Sequence, residues 1–335
     1  MKKRLYNIAI VGATGLVGTN FIRVMEEMKI PVGELRLLAS PKSEGKTISA
    51  FGCECTVHTL TESSFEGIDF ALFSAGGSVS RQYAKIAVSS GAVVIDNSSA
   101  WRMDASVPLV VPEINFEDIQ NQGIIANPNC STIQSVLPLK ALRDAFGLES
   151  VYYSTYQAVS GSGQKGIDDL NRTLAGETPK FYPYDISKTC IPEIDVFSEN
   201  GYTLEEMKMV NETKKILHDD SLEISATCIR VPVEVGHGVL INALLKQDVD
   251  LSLVKQVLSS FEGIKVVDDL KNHGYPTSLL AKGNDYVYVG RIRKDLNNPF
   301  RVLLYTVADN VRKGAASNAV QILKRLIDKA GENND

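Results

Sequence analysis

Gly12-Ala13-Thr14-Gly15-Leu16-Val17-Gly18 stands between an apolar, strand-like run, YNIAIV, and the helical pattern LVGTNFIRVMEEM. Glycines at this spacing permit a tight turn and a close backbone approach, and a helix opening directly behind the turn aims unpaired N–H groups at an anion. The pattern is G-x-x-G-x-x-G, one residue wider in its first gap than the usual dinucleotide fingerprint, in the same strand-turn-helix setting. The rest of the first third keeps that rhythm: ELRLLAS, DFALFSA, VSRQYAKIAVSS and AVVIDNSS alternate apolar runs with helical patterns. Such alternation predicts β-α-β units and an α/β, Rossmann-type parallel sheet. Gly12, Thr14, Gly15, Leu16, Val17 and Gly18 are the candidate pyrophosphate cradle, a purely structural glycine turn being the alternative.

The second strand, ELRLLAS, ends in Ser40-Pro41-Lys42-Ser43, where an NAD-specific fold would often carry an acidic residue for the ribose hydroxyl. No Asp or Glu stands at that strand end. Ser40, Lys42 and Ser43 suit the 2′-phosphate of NADP instead, because a carboxylate there would repel it. For Lys42 alone, a solvated basic loop remains an open reading.

From about Val151 longer strand candidates follow one another with few helices between: VYYSTYQAVS, EISATCIRVPVEV, VLINALLKQ, YVYVGRIRK and RVLLYTVAD. They predict a mixed or largely antiparallel second sheet in an α+β domain. The closing GAASNAVQILKRLIDKA reads as an amphipathic helix that returns to the first domain. A chain of 335 residues exceeds one minimal core, and the expected division is 1–130 plus 313–335 against 131–312. With 44% hydrophobic and 22% charged residues, no tract is forced to stay disordered beyond the GENND tail.

A net charge of −5 argues against nucleic-acid and anionic-membrane partners and favours a small charged ligand. No signal peptide and no membrane span is read, and five sparse cysteines fit a reducing, cytoplasmic compartment better than a disulfide framework. Cys53 and Cys55 form only C-x-C with no second pair at zinc spacing, so no metal is expected.

NPNCST, residues 127 to 132, delivers Cys130 to the first turn of the apolar helical run STIQSVLPLKALRDAF. The unpaired N–H groups and positive dipole end of a helix favour the thiolate there, while a lone cysteine is otherwise a small core residue. A nucleophilic thiol needs a proton partner, and the histidines are at 58, 218, 237 and 273. His237, in RVPVEVGHG, has glycine on both sides. His218 reads as a helix-end residue, and His58 and His273 as loop residues; spacing links none of them to Cys130. Thiol, NADP and an acid/base histidine describe thiolate attack on an aldehyde, hydride transfer, and release of an acyl thioester to a second nucleophile; run backwards, an acyl phosphate is reduced.

GATGLVG, NPNCSTIQ, YQAVSGSG, EEMKMVNETKKI, RVPVEVGHG, GRIRKD and DNVRKGAA occur in this order over residues 12 to about 318. Together they closely resemble bacterial aspartate-semialdehyde dehydrogenases. The resemblance implies NADPH-dependent, reversible reduction of L-4-aspartyl phosphate to L-aspartate 4-semialdehyde, at the branch toward lysine, methionine and threonine. It also implies that residues 131–312 form a catalytic and dimerisation domain in a homodimer or dimer of dimers. Cys130 would be the acyl-thioester nucleophile, His237 the general acid/base, Gln157 the group that orients the acyl moiety, and Arg230 the fork for the substrate carboxylate. Arg102 and Lys208 would take the phosphate, with Glu205 one turn before Lys208 orienting it or meeting the substrate ammonium, and Asn129 shaping the pocket. By spacing alone, the Glu205–Lys208 pair is equally a solvated helix face. Ser160, Gly161 and Asn310 would approach the nicotinamide. Lys42 stands where many relatives carry arginine, and the segment from Leu174 to Ile191 is short beside some of them. N-acetylglutamyl-phosphate reductase, which shares the thiol and the Gly-rich loop, lacks the YQAVSG and RVPVEVGH context, and a catalytically silent NADP-binding relative has no reason to keep Cys130, Gln157, Arg230 and His237 together.

Overall fold

The computed structural model describes residues 4–120 and 123–332, in two compact units: 1–128 with 315–335, and 129–314. In the first, β1 (Tyr6–Val11), α1 (Leu16–Glu27), β2 (Val32–Ala39), β3 (Thr47–Ala50), β4 (Cys53–Thr59), β5 (Phe70–Phe73), α2 (Gly77–Ser89), β6 (Val93–Asp96), α3 (Pro112–Asn115) and β7 (Ile124–Ala126) follow in order. Their sheet runs β3-β4-β2-β1-β5-β6-β7, parallel throughout except for the antiparallel β3–β4 pair. FALF and VVID are buried at every position, as strands covered on both faces must be. Strand order reverses beside β1, which has β2 on one side and β5 on the other.

The second unit holds α4 (Cys130–Phe146), β8 (Leu148–Gln157), α5 (Gln164–Leu174), α6 (Leu204–Leu217), β9 (Glu223–Arg230), β10 (His237–Leu245), α7 (Leu251–Ser260), β11 (Ile264–Val266), α8 (Ser278–Ala281), β12 (Val287–Lys294) and β13 (Arg301–Ala308). Its sheet order is β11-β12-β13-β10-β8-β9, with antiparallel pairs in the centre and a parallel pair at each edge. Side chains alternate along the central strands. Val151, Tyr153 and Thr155 of β8, Val239 and Ile241 of β10, and Val302 and Leu304 of β13 are buried on one face, against which α4, α6 and α7 pack. On the other face Tyr152 and Tyr156 remain 46% and 40% exposed, large apolar side chains where a solvated face would carry polar ones.

The chain closes with α9 (Ser317–Glu332), which belongs to the first unit and buries Ala319, Val320, Ile322, Leu323 and Ile327 in that unit's core. The helix continues through Gly331 and Glu332, so the expected disorder of the tail does not apply to them. The last three residues of GENND lie outside the described residues, as do residues 1–3. His58, read from its polar surroundings as a loop residue, lies on β4: its strand pairs parallel with β2 through Leu38 opposite His58. In the short segment before Ile191, Ile186 and Ile191 bury against Val159 and Leu170 as a satellite cluster.

Candidate active site

In the first unit, the turn after β1 is as tight as its glycines allow. A Cβ on Gly12 would stand 2.6 Å from the Ser74 carbonyl oxygen, and one on Gly18 2.2 Å from that of Gly12. Gly12 has φ +88°, a conformation glycine adopts without strain. Gly12 and Ala13 both donate to the Leu38 carbonyl, at 2.8 and 3.1 Å, which ties the turn to the end of β2. A cavity of about 410 Å³ opens there, lined by Gly12, Thr14 and Gly15 after β1, Ser40 and Pro41 after β2, and Ser74 after β5. It sits at the carboxyl ends of the strands flanking the reversal of strand order, where open α/β sheets bind their ligands. Leu16 and Val17 open α1 and are half-buried, Val17 packing against the core. Lys42 is exposed, while the Ser43 hydroxyl is buried 3.5 Å from that of Thr14. Glu44, the nearest carboxylate beyond β2, accepts the Thr59 N–H. Arg102 also belongs to this unit, buried, with Nη2 donating to the Asn97 carbonyl at 2.9 Å.

The second unit assembles the thiol's surroundings. Cys130 is the first residue of α4, half-buried, and Asn129 is its N-cap: the Asn129 side-chain oxygen accepts from Ser131 and Thr132 at 2.9 and 3.3 Å. That capping geometry requires the non-helical backbone a residue before the helix supplies, and it satisfies two of the helix's orphan donors. Glycine at 314 is obligatory, since a Cβ there would come 2.9 Å from that of Cys130.

Glu205 is the hub. Its Oε1 accepts from the side-chain amides of Asn129, at 2.9 Å, and Gln157, at 3.2 Å, and its Oε2 pairs with Lys208 Nζ at 3.2 Å. Burial works against its ionisation, but Lys208, the Asn129 and Gln157 donors and Arg230 outweigh that and hold its carboxyl below the ordinary value. Lys208 also reaches Asp195 at 2.8 Å. The pair is therefore no solvated helix face; Asn129, Gln157 and Lys208 converge on one buried carboxylate.

His237 begins β10 and is completely buried. Its Nδ1 accepts the Ala158 N–H at 3.0 Å, so the neutral ring carries its proton on Nε2, and Nε2 has no hydrogen-bond partner among the described residues. Burial first, and then the Arg230 guanidinium, push its pKa well below the ordinary 6.5. Arg230 Nη1 donates to the Ala158 carbonyl at 2.7 Å, so one peptide segment holds both side chains. A Cβ on Gly161 would stand 2.8 Å from Arg230 Nη1 and 3.1 Å from His237 Nε2. Asn310 donates to Ser160 Oγ at 2.9 Å and accepts from Gly236 N at 2.9 Å, fixing the turn before His237.

Two residues of this site escaped sequence reasoning. Glu212 accepts the Asn129 backbone N–H at 2.6 Å, and Gln134 donates to the His237 carbonyl at 3.1 Å. Both stood at readable spacings: Glu212 two helical turns after Glu205, and Gln134 one turn after Cys130. Of the histidines, His218 caps α6 in a left-handed conformation, and His58 and His273 lie on exposed segments. Among the described residues no group of three or more His, Cys, Asp or Glu could hold a metal, and no helix is long and apolar enough to cross a membrane.

Comparisons with known proteins point the same way. The family of semialdehyde dehydrogenase NAD binding domains matches residues 7–122, and that of semialdehyde dehydrogenase dimerisation domains matches residues 139–313. Aspartate-semialdehyde dehydrogenase of Aquifex aeolicus is 51% identical over 96% of this chain and 98% of its own length. The crystal structure of aspartate semialdehyde dehydrogenase II complexed with ASA from Vibrio cholerae superposes with a TM-score of 0.91 at 44% identity, over 97% of this chain and 98% of that one. The enzyme of Candida albicans with NADP matches with a TM-score of 0.77 at 26% identity, over 96% and 98% of the two chains. A nucleotide-type turn at the head of one unit, a capped cysteine and a buried histidine in the other, and similarity along nearly the whole length have one explanation: the chain belongs to the aspartate-semialdehyde dehydrogenase family.

Proposed function

We propose that the protein catalyses the reversible, NADP-dependent reductive dephosphorylation of L-4-aspartyl phosphate to L-aspartate 4-semialdehyde and phosphate, through an acyl thioester on Cys130, in lysine, methionine and threonine biosynthesis. The observation that carries this is His237 Nε2: a buried ring nitrogen without a hydrogen-bond partner among the described residues, held beside Arg230 in the unit that contains Cys130. An unsatisfied buried donor is costly unless a substrate atom completes it.

Cys130 attacks the acyl carbon as the thiolate, favoured by the start of α4. The C–S bond forms as the C–O bond to phosphate breaks. NADPH, when bound, supplies the hydride that reduces the thioester carbonyl. His237 Nε2–H donates to the oxygen on which charge develops, and the C–S bond then breaks to release the aldehyde and restore the thiolate. Arg230 takes the substrate carboxylate and Gln157 orients the acyl group, its amide steadied by Glu205. Glu205 meets the substrate ammonium, and Asn129 shapes the pocket around it. Phosphate falls to Arg102 and Lys208.

The glycine turn and the cavity beside it fit a dinucleotide held by Gly12, Thr14, Gly15, Leu16, Val17 and Gly18. Preference for NADP over NAD is supported by Ser40, Lys42 and Ser43 after β2 and by the engagement of Glu44 with Thr59. Ser160, Gly161 and Asn310 serve the nicotinamide end. We assign the cofactor to the first unit, 1–128 with 315–335, and catalysis with subunit contact to the second, 129–314, which differs from the expected 1–130 plus 313–335 against 131–312 by two residues at each boundary and keeps Cys130 with its partners. The assembly is a homodimer or a dimer of dimers, formed through the uncovered sheet face that exposes Tyr152 and Tyr156. Five free cysteines suit a cytoplasmic setting.

The test follows NADPH formation from L-aspartate semialdehyde and inorganic phosphate, with N-acetylglutamate semialdehyde and NAD in parallel. Phosphate-dependent NADPH formation from the aspartate substrate alone is expected; turnover of only the acetylated substrate refutes the reading. Cys130→Ala should lower turnover by roughly a thousandfold or more while NADP still binds; a near-normal rate sinks the thioester.

A further inference from the structure

Trp101 is the only tryptophan of the chain and immediately precedes Arg102. It is buried, and its indole N–H donates to Ser80 Oγ at 2.9 Å. Ser80, on α2, donates its hydroxyl hydrogen bond to Asp96 Oδ2 at 2.5 Å. Asp96, completely buried at the end of β6, also accepts from Ser98 Oγ at 2.8 Å and Ser98 N at 2.9 Å, and Ser98 Oγ accepts from Ala100 N at 3.2 Å. The turn from 96 to 101 is thus closed into a ring of hydrogen bonds whose last link is the indole. Arg102 leaves that ring and is braced against the turn's own Asn97 carbonyl. Asn97 is held in its turn, by its N–H to the Phe73 carbonyl and by the Asn127 amide on its Oδ1 at 2.7 Å.

We propose that the Trp101–Ser80 hydrogen bond, anchored on Asp96, positions Arg102 and thereby sets the enzyme's affinity for phosphate. The indole N–H, which burial obliges to find a partner, finds it on α2, in a Ser80 itself fixed by Asp96, so the backbone that carries Arg102 is tied at a defined place. A guanidinium recognises phosphate by a directional fork, so a small displacement of its backbone misaligns the fork without affecting the other ligands. Trp101 and Ser80 are positioning residues, and the inference rests on the assignment of phosphate to Arg102.

Initial rates in the semialdehyde-oxidising direction, with inorganic phosphate varied, test it. Ser80→Ala and Trp101→Phe should each raise the KM for phosphate roughly three- to tenfold, the effect of one neutral hydrogen bond. The double variant should do no more than either single one, because both remove the same bond. The KM values for semialdehyde and NADP, and kcat at saturating phosphate, should stay within about twofold. In the unmodified enzyme, selectively excited Trp101 emission should change on titration with inorganic phosphate and saturate near its KM. Unchanged phosphate KM in both variants, while Arg102→Lys raises it, overturns the positioning role alone. An unchanged KM in Arg102→Lys overturns the phosphate assignment itself. A fall in kcat together with a rise in every KM marks a merely structural contact and also refutes the proposal. Should either variant fail to fold, Trp101 emission indifferent to phosphate refutes it on the native enzyme.

Discussion

Burial and Arg230 both oppose a second, charging proton on His237, and the consequence reaches stability as well as chemistry. Its native pKa lies well below the ordinary 6.5, so below about pH 6.5 the unfolded chain binds a proton that the native chain does not. Stability therefore rises with pH through that window, by at most about 1.4 kcal/mol per pH unit from this group, and is lost as pH falls from about 6.5 toward the native value. His237→Asn should flatten the slope of unfolding free energy between about pH 5 and 6.5, measured by denaturant titration; an unaltered slope would show that His237 is not held neutral. Gly161 is the other residue-scale constraint. A methyl there meets Arg230 Nη1 at 2.8 Å and His237 Nε2 at 3.1 Å, and the guanidinium is pinned by the Ala158 carbonyl. Gly161→Ala should lower kcat/KM by roughly tenfold or more, since small displacements of catalytic groups have large effects on rate, while far-ultraviolet circular dichroism stays native; a wild-type kcat/KM would mean that neither side chain needs its present place.

At the scale of elements, the start of α4 and the inner face of α6 form one device. Asn129 caps α4 with its side-chain oxygen, gives its side-chain N–H to Glu205 and its backbone N–H to Glu212. Asn129→Ala removes the cap and strips one donor from a buried carboxylate, so unfolding free energy should fall by roughly 2–3 kcal/mol, and activity with it. Asn129→Asp, which keeps the cap but sets a carboxylate against Glu205, should fare no better; recovery in that variant would leave the cap as the whole effect. The start of α4 was legible in NPNCST, because a polar turn before an apolar helical run marks a helix opening; that Asn129 caps it was not read. Equally legible were the β-α-β rhythm of the first third and the long strands of the second sheet, since periods of 2 and 3.6 are written in the residues themselves. His58 was not, because β4 reads polar around it: its strand is half-exposed, and pairing with β2 makes it a strand. Nor could spacing distinguish the Glu205–Lys208 pair from a solvated face. What distinguishes it is Asn129 and Gln157, brought in by elements distant in sequence.

For the whole molecule, the six-stranded sheet poses the remaining problem. Helices α4, α6 and α7 cover one face, yet the other carries Tyr152, Tyr156, Leu240 and Tyr305 at or near the surface around a cavity of about 420 Å³ that Tyr156, Leu240 and Tyr305 help to line. Cross-strand register makes these neighbours: Leu240 lies opposite both Ser154 and Tyr305, and Gly238 opposite Tyr156. A Cβ on Gly238 would stand 1.9 Å from the Tyr305 hydroxyl oxygen, so a side chain there would have to displace that ring. Asn242, Ser154 and Arg301 stand among these tyrosines, and Arg291 and Arg293 share the lining of the cavity, so the face is aromatic with polar groups between; such a composition suits an interface, and two copies related by a two-fold axis would bury it against itself. Sedimentation equilibrium should then report two or four times the mass of one chain for the unmodified protein. Tyr152→Asp combined with Tyr156→Asp would place like charges against each other across such an axis, and should shift the equilibrium to the single chain while far-ultraviolet circular dichroism stays native. A mass that survives both substitutions unchanged would place the contact on another surface of the second unit.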